Sequence, residues 1–190
     1  KGVMTENLLN EIKLHKDDLI EFITLYKPKK EKHLFIPKVP EQPSYGLSSS
    51  QKRLWILSQF EGGNTAYNMP SVFELKGGLA ISSLENAFQT LIERHESLRT
   101  VFKENKTGEV RQIILSPDDI KFQLQYEDLS NEENTVEKIK SIIQKETTYA
   151  FDLSTGSLLR AKLVKTSQDT YIFICVIHHI VSDGQSVEVM

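Results

Sequence analysis

The sequence predicts an α/β domain in which helices pack on a mostly buried sheet. Apolar residues recur at helical spacing in several segments, with the clearest stripe over residues 84–92. Short apolar or alternating runs, of which residues 171–177 are the most apolar, are typical of strands. These helical and strand-like segments alternate irregularly along the chain, which favours a layered α/β arrangement.

The first 43 residues are predicted to lie outside this domain. Residues 5–27 have helical periodicity, with Thr5 as the predicted N-cap, Pro28 as the stop and the charged run 15–18 as a possible break between two helices. Four of the six prolines fall in residues 28–43, which predicts a semi-extended linker. The predicted division is therefore 1–27, 28–43 and 44–190.

The elements of residues 44–190 follow from local signals. Ser48 with Gln51 forms a capping box that opens a helix towards Phe60, and Gly62 and Gly63 are expected to end it. A strand is predicted near residues 72–75. Ser82 with Glu85 predicts a second capping box, at the start of the helix that carries the stripe 84–92.

The second half of this region continues the same alternation. Thr107-Gly108 predicts a hairpin turn, and residues 120–126 alternate as a strand does. Apolar residues at positions 136, 139, 142 and 143 predict a helix. Two strands, at 158–164 and 171–177, end the pattern, and the last is expected to be central in the sheet.

Composition excludes several classes of function. A formal net charge of −3 leaves no basic footprint for nucleic acid, and no run of 18 apolar residues could span a membrane. Cys175 is the single cysteine and is expected to be a buried apolar side chain in a reducing, cytoplasmic compartment. The chain starts at Lys1 without a signal-peptide pattern and stops at Met190 inside an apparent helix, so both ends are expected to be fragment ends.

The candidate chemistry lies in the string from His178 to Gly184, which directly follows the last apolar strand. Adjacent strand residues point to opposite faces, so His178 and His179 are expected to have different roles. Asp183 can cap a helix or pair with an arginine, and Gly184 permits close backbone approach. A histidine here could hold an attacking amine and accept its proton, while backbone N–H groups near Gly184 stabilise an oxyanion.

Other interpretations of the histidine pair remain open at this point. A pair of this kind can be purely structural, and Asp183 alone can be an ordinary cap. A metal site is disfavoured, because no cysteine or further histidine stands at ligand spacing.

Five strings, in order, resemble those of the condensation domains of nonribosomal peptide synthetases. The string His-His-x-x-x-Asp-Gly at 178–184 resembles the family signature, and residues 94–102 look like its second motif. Residues 47–55 resemble its opening motif, followed by similar strings at 67–70 and 151–160. The resemblance covers about residues 44–190.

This resemblance implies a fold, a site and a set of partners. The fold would be a chloramphenicol-acetyltransferase-like α/β sandwich, of which this chain is the N-terminal lobe with a short helical appendage. His179 would be catalytic, as base or by positioning, with His178, Asp183 and Gly184 beside it. Arg94 would pair with Asp183, and Arg99 would join that network or lie on the surface.

The implied reaction joins a carrier-bound aminoacyl or peptidyl thioester to the amine of a downstream carrier-bound amino acid. Donor and acceptor carrier proteins would deliver their phosphopantetheine arms, and no cofactor or metal would bind directly. The fragment alone would be inactive. Alternatives are a non-catalytic recruitment module and a superfamily acyltransferase that acts on small alcohols or coenzyme-A esters.

The N-terminal residues 1–27 have a resemblance of their own. They are similar to the last part of a TubC-type docking domain, which implies binding to the upstream synthetase subunit, with further synthetase domains following in the same chain. An amphipathic helix packed on its own chain is the alternative.

Overall fold

The computed structural model describes residues 5–25, 37–60 and 62–190, with the side chains of 23–25 left out. By contact density the chain divides into two compact units, Lys1–Glu41 and Gln42–Met190. None of the described helices combines the length and apolar character needed to cross a membrane.

The first unit contains two short helices, α1 (Glu6–Leu14) and α2 (Lys16–Leu25). Thr5 is the N-cap of α1, and its hydroxyl accepts a hydrogen bond from the amide of Leu8 at 3.3 Å. The helices are separated at His15, so both the cap and the break within the charged run are confirmed. The expected stop at Pro28 and most of the linker lie outside the described residues.

The second unit alternates helices and strands as the sequence predicts. Its helices are α3 (Ser49–Ser58), α4 (Gly63–Ala66), α5 (Ile81–Arg94), α6 (Thr135–Thr147) and α7 (Gly184–Val189), with 3₁₀ turns at Glu96–Arg99 and Pro117–Asp119. Its strands are β1 (Tyr45–Gly46), β2 (Asn68–Lys76), β3 (Thr100–Glu104), β4 (Val110–Ile114), β5 (Gln125–Asp128), β6 (Leu159–Ser167) and β7 (Thr170–His178).

Two sheets organise this unit. The larger has the strand order β2-β7-β6-β5, in which β7 runs antiparallel to both neighbours and β5 runs parallel to β6. The smaller has the order β1-β4-β3, closed by a hairpin in which Gly108 takes the left-handed φ of 78°. The strand that leads to the histidines is therefore interior, as expected.

The core forms around β6 and β7, whose inward side chains are almost inaccessible to solvent. Leu163, Ile174 and Val176 each expose 1% or less of their surface. From α5, the ring of Phe88 stacks on Phe122 at 5.3 Å between centroids and lies 5.8 Å from Phe173. Helix α6 contacts β2 and β7. This packing makes the carboxyl end of β7 a rigid platform.

Three local predictions are wrong. Helix α5 starts at Ile81 with Ala80 as its N-cap, so Ser82 does not cap it. The carboxylate of Glu85 instead accepts a hydrogen bond from the amide of Leu124 at 3.0 Å. Because the Leu124 amide bonds the Glu85 side chain, β5 begins only at Gln125. Phe122 and Leu124 are nevertheless buried, as the alternation suggested.

The third error concerns the glycine pair after α3. This helix ends at Ser58, and Gly62 caps the separate short helix α4 with a left-handed φ of 74°. A Cβ on Gly63 would lie 2.0 Å from the carbonyl oxygen of Leu57. The glycines therefore permit a tight return of the chain, rather than marking the end of α3.

Candidate active site

The two histidines leave β7 at a point where strands on both sides hold the backbone. The amide of His178 donates to the carbonyl of Leu158 at 2.9 Å, next to β6. The amide of His179 donates to the carbonyl of Tyr67 at 2.9 Å, next to β2. The backbone position of the pair is therefore set by the central sheet.

His178 points into the core. It has no exposed surface, and its ring meets Phe151 edge to face at 6.1 Å between centroids. Its Nδ1 accepts the amide of Ile180 at 3.2 Å. Burial, with a smaller contribution from the neighbouring His179, lowers the pKa of His178 to about 4. This ring is therefore neutral near pH 7 and shapes the turn that follows it.

His179 points outward and is exposed. Its Nδ1 lies 2.7 Å from the carbonyl oxygen of Ser182. A carbonyl can only accept a hydrogen bond, so Nδ1 carries the proton in the neutral ring and Nε2 keeps its lone pair. The turn of residues 178–182 thus presents one basic nitrogen on a fixed ring, as general base chemistry requires.

A cleft of about 760 Å³ lies beside His179. Its walls come from α3 and from the turn after β7, and they include Ser48, Ser50, Gln51, Arg53, Leu54, Leu57, Tyr67, Ile180, Val181, Ser182, Asp183 and Ser186. The different directions of the two rings and the cleft beside the outer ring both agree with the sequence-based expectation. No three His, Cys, Asp or Glu side chains in the described ranges converge as metal ligands.

Gln51 joins the two walls of this cleft. Its Oε1 accepts the amide of Ser48 at 2.9 Å, which completes the capping box of α3. Its Nε2 donates to the side chain of Gln112 at 3.0 Å and to the carbonyl of Ile180 at 3.4 Å. One side chain therefore both starts α3 and holds the histidine turn against it.

Asp183 is the N-cap of α7. Its Oδ1 accepts the amide of Ser186 at 2.8 Å and the hydroxyl of Ser186 at 2.6 Å. These bonds, the hydroxyl first, lower the pKa of the Asp183 carboxyl, and the charge of His179 adds to the effect. An alanine at Gly184 would meet no atom within 4 Å, so nothing packed around it requires a glycine.

The expected pair between Asp183 and Arg94 does not form. Both residues are exposed, and none of the ion pairs between described residues joins them. Asp183 is instead satisfied by Ser186, within the first turn of its own helix. An isolated pair of exposed charges gains little from a fixed contact, which removes the reason for a buried bridge here.

Arg99 is the more enclosed of the two candidate arginines, with 14% of its side chain exposed. It donates to the carbonyl of Leu115 at 2.6 Å and lies 3.5 Å from the carboxylate of Glu96. It therefore ties the turn before β3 to the end of β4. This position differs from both expectations for Arg99, which were a network with Arg94 and a place on the surface.

Sequence reasoning missed the residues that hold the histidine turn from outside. Tyr67 acts through its backbone, which no side-chain pattern reveals. Gln51 was identified only as a capping residue, and its second set of bonds depends on β4 and on the turn being close by. Phe151 carried no signal beyond its place in an apolar string.

The comparisons with known proteins agree with this geometry. A family model for the condensation domain matches residues 41–190. Gramicidin S synthase 2 of Brevibacillus brevis is 42% identical over 161 residues, which are 84% of this chain and 3% of that protein. Bacitracin synthase 2 of Bacillus licheniformis is 37% identical over 191 residues, or 100% of this chain and 7% of that protein.

Solved structures of low sequence identity share the fold. The starter condensation domain of rhizomide synthetase superposes with a TM-score of 0.70 at 21% identity, over 78% of this chain and 35% of that one. The chain thus spans only a few per cent of the curated synthetases and about a third of that solved chain. With its family model matched over most of its length and its central strand ending in the histidine pair, this chain belongs to the condensation-domain family.

Proposed function

We propose that this chain is the N-terminal lobe of a condensation domain in a nonribosomal peptide synthetase, and that its site forms amide bonds. The observation that carries the proposal is the outward ring of His179. Its Nδ1 is engaged by Ser182, which leaves Nε2 as the acceptor of a ring that lines the cleft. The substrates would be two carrier-bound acyl groups, each on a phosphopantetheine arm. The division into residues 1–27, 28–43 and 44–190 and a cytoplasmic location belong to the same proposal.

The proposed reaction is an acyl transfer from sulfur to nitrogen. The amine of the acceptor attacks the thioester carbonyl of the donor, so a C–N bond forms and the C–S bond breaks. The amine proton leaves as the tetrahedral intermediate forms and collapses, and the thiolate leaving group is protonated. In this proposal Nε2 of His179 receives that proton or orients the amine, and the ring geometry supports both roles.

The other proposed site residues support His179. His178 shapes the turn from within the core, and Asp183 starts α7 beside the cleft. The open space at Gly184 supports a close approach there by substrate or by another segment of the protein. Since Asp183 already takes the amide of Ser186, an oxyanion would have to use other donors than that one.

The first prediction tests the role of His179. In the complete module, His179→Ala should lower the rate of dipeptidyl-carrier formation by about 10²–10⁴-fold, the usual contribution of general acid–base catalysis. Mass spectrometry of the loaded carriers measures this rate, and thermal melts check the fold. His15→Ala, which removes an exposed histidine on the first unit, is the matched control; with free carriers at saturation, where docking does not limit the rate, it should leave the rate unchanged.

Residues 1–190 alone, tested in the same assay, should give no product, because positioning two substrates needs both walls of a channel. A His179→Ala module that turns over normally would contradict the catalytic assignment. Product from residues 1–190 alone would instead contradict their assignment as one lobe of the site.

A further inference from the structure

Two buried polar atoms of complementary chemistry lie close to the proposed site without a hydrogen-bond partner among the described residues. They are Oδ1 of Asn68 and Nε2 of His178. Buried polar atoms in folded proteins are nearly always hydrogen-bonded, because leaving one unpaired forfeits its bonds to water without replacing them.

The orientation of the Asn68 amide is settled by its other bonds. Nδ2 donates to the carbonyls of Thr147 and Tyr149, at 3.0 and 2.8 Å, where α6 ends. Carbonyls can only accept, so the nitrogen must face α6 and the oxygen must face away from those two carbonyls. Asn68 therefore caps the carboxyl end of α6 with one half of its amide and keeps an acceptor free.

The tautomer of His178 follows from the same kind of argument. Its Nδ1 faces the amide of Ile180, which can only donate. The neutral ring must then carry its proton on Nε2, as a buried donor. Asn68 thus offers an acceptor that lacks a donor, and His178 offers a donor that lacks an acceptor.

The strand register brings these two side chains together. Asn68 and His178 are direct partners in the antiparallel ladder of β2 and β7. The backbone hydrogen bond joins the adjacent pair, Tyr67 and His179, so Asn68 and His178 form a non-hydrogen-bonded pair of the ladder. The Cα atoms of such pairs lie about 4.5 Å apart and their side chains share one face of the sheet.

We propose that Asn68 is a positioning residue for the histidine turn, and that its Oδ1 accepts the Nε2 proton of His178 directly or through one enclosed water molecule. This bond holds His178 in the tautomer whose Nδ1 accepts from Ile180. The Ile180 amide in turn fixes the turn in which His179 donates to Ser182. The activity of His179 that this bond supports is the proposed function, but the bond itself does not depend on it.

The test uses the complete module with ¹⁵N-labelled histidine, in which the signals of His178 are assigned by their loss in His178→Phe. The parent ring should be neutral with its proton on Nε2. Asn68→Asp replaces the amide by a carboxylate of the same size, which stabilises the imidazolium form. The titration midpoint of His178 should therefore rise by at least one pH unit.

The other charged groups on the elements around His178 stay as they are in this variant. They are His179 in the same turn and the ion pair of Glu146 on α6 with Arg160 on β6, at 2.8 Å. A ring protonated on Nδ1 in the parent, or a His178 midpoint that Asn68→Asp does not move, overturns the proposal. Asn68 would then be only a helix cap.

Activity supplies the second readout. Asn68→Ala should lower the turnover number by about 10- to 100-fold, with the KM for both carriers little changed, because a small displacement of a positioned group has this effect. Thr148→Ala is the control: it removes a 2.7 Å bond to the Gln144 carbonyl at the same end of α6 but keeps both carbonyls that Asn68 binds, and it should keep turnover.

Equal losses of turnover in Asn68→Ala and Thr148→Ala would also overturn the proposal. Should Asn68→Ala not fold, the size-matched Asn68→Asp variant and the parent tautomer decide by themselves. If the His178 signals behave as expected while His179→Ala keeps its activity, the bond exists and the proposed function is wrong. The two ideas can therefore fail separately.

Discussion

His178 has no contact with solvent, whereas His179, one residue later, is exposed. Taking an imidazole out of water disfavours its charged form, so the inner ring stays neutral near pH 7. The two residues share a backbone but differ in environment because a strand alternates its faces.

The burial of His178 predicts how stability depends on pH. Its pKa is about 4 in the folded chain, against the ordinary value of 6.5 that applies when the chain is unfolded. Between these values the unfolded chain binds a proton that the folded chain does not, so stability is full above pH 6.5 and falls as the pH drops towards 4. The expected loss is about 3 kcal/mol, measured as the free energy of unfolding in urea.

The variant His178→Phe separates this effect from the rest of the chain. It removes the titrating group, so the loss of stability between about pH 6.5 and about pH 4.5 should be much smaller than in the parent. Asp128, Asp152 and Asp183 have lowered pKa values and therefore lose their own stabilising bonds only at more acidic pH. Parallel pH profiles for parent and variant would show that His178 is not the group responsible.

Helix α3 begins with a complete capping box, in which Ser48 accepts the amide of Gln51 at 3.2 Å and Gln51 accepts the amide of Ser48. Helix α5 begins without any side-chain cap, although Ser82 and Glu85 have the same spacing. Glu85 is engaged by Leu124 from another part of the chain. Two segments with the same capping-box spacing therefore start their helices differently, because the Glu85 side chain binds an amide from a distant segment.

These two serines form a matched pair of variants. Ser48→Ala should lower the free energy of unfolding by about 1 kcal/mol, since it removes a working N-cap. Ser82→Ala should be neutral or slightly stabilising, because Ser82 lies inside α5, is exposed, and alanine has the higher helix propensity. Urea unfolding of both variants measures the difference, and equal losses would contradict these assignments of the helix starts.

The first unit carries apolar side chains that its own helices leave exposed. Leu8, Leu9 and Ile12 on α1 each expose 39–48% of their surface, and Leu14 exposes 80%. An exposed apolar surface of this kind favours an interaction with another protein. It supports the proposal that residues 1–27 dock the upstream synthetase subunit, beside the alternative that they pack on their own chain.

If residues 1–27 dock the upstream subunit, they should affect the delivery of the donor carrier and leave the rate of the chemical step unchanged. Deleting residues 1–27 from the complete module should lower the rate about 10²-fold when the donor carrier is attached to its upstream subunit at micromolar concentration, because tethering supplies effective concentration. The rate with a free donor carrier at saturation should not change. Full activity of the deletion with the attached carrier would contradict the docking role.

Much of this chain follows from its local sequence. Periodicity located most of the helices and strands, because a helix or a strand must present its apolar residues to one side. The apolar run of β7 predicted an interior strand, and the alternation of faces predicted that the two histidines diverge. The cap at Ser48 and the hairpin at Gly108 depend on neighbours a few residues away, and both are as predicted.

Contacts between distant segments depend on the tertiary structure, and there the local patterns did not suffice. Glu85 could cap its own helix or reach Leu124, and only the packing of α5 decides between them. Arg94 and Asp183 have opposite charges, but exposure to water leaves little energy to bring them together. The carbonyl of Tyr67 and the side chain of Gln51 bond the histidine turn, and Asn68 is the ladder partner of His178. Strand register and helix position bring these groups together, and no pattern within a single segment contains that information.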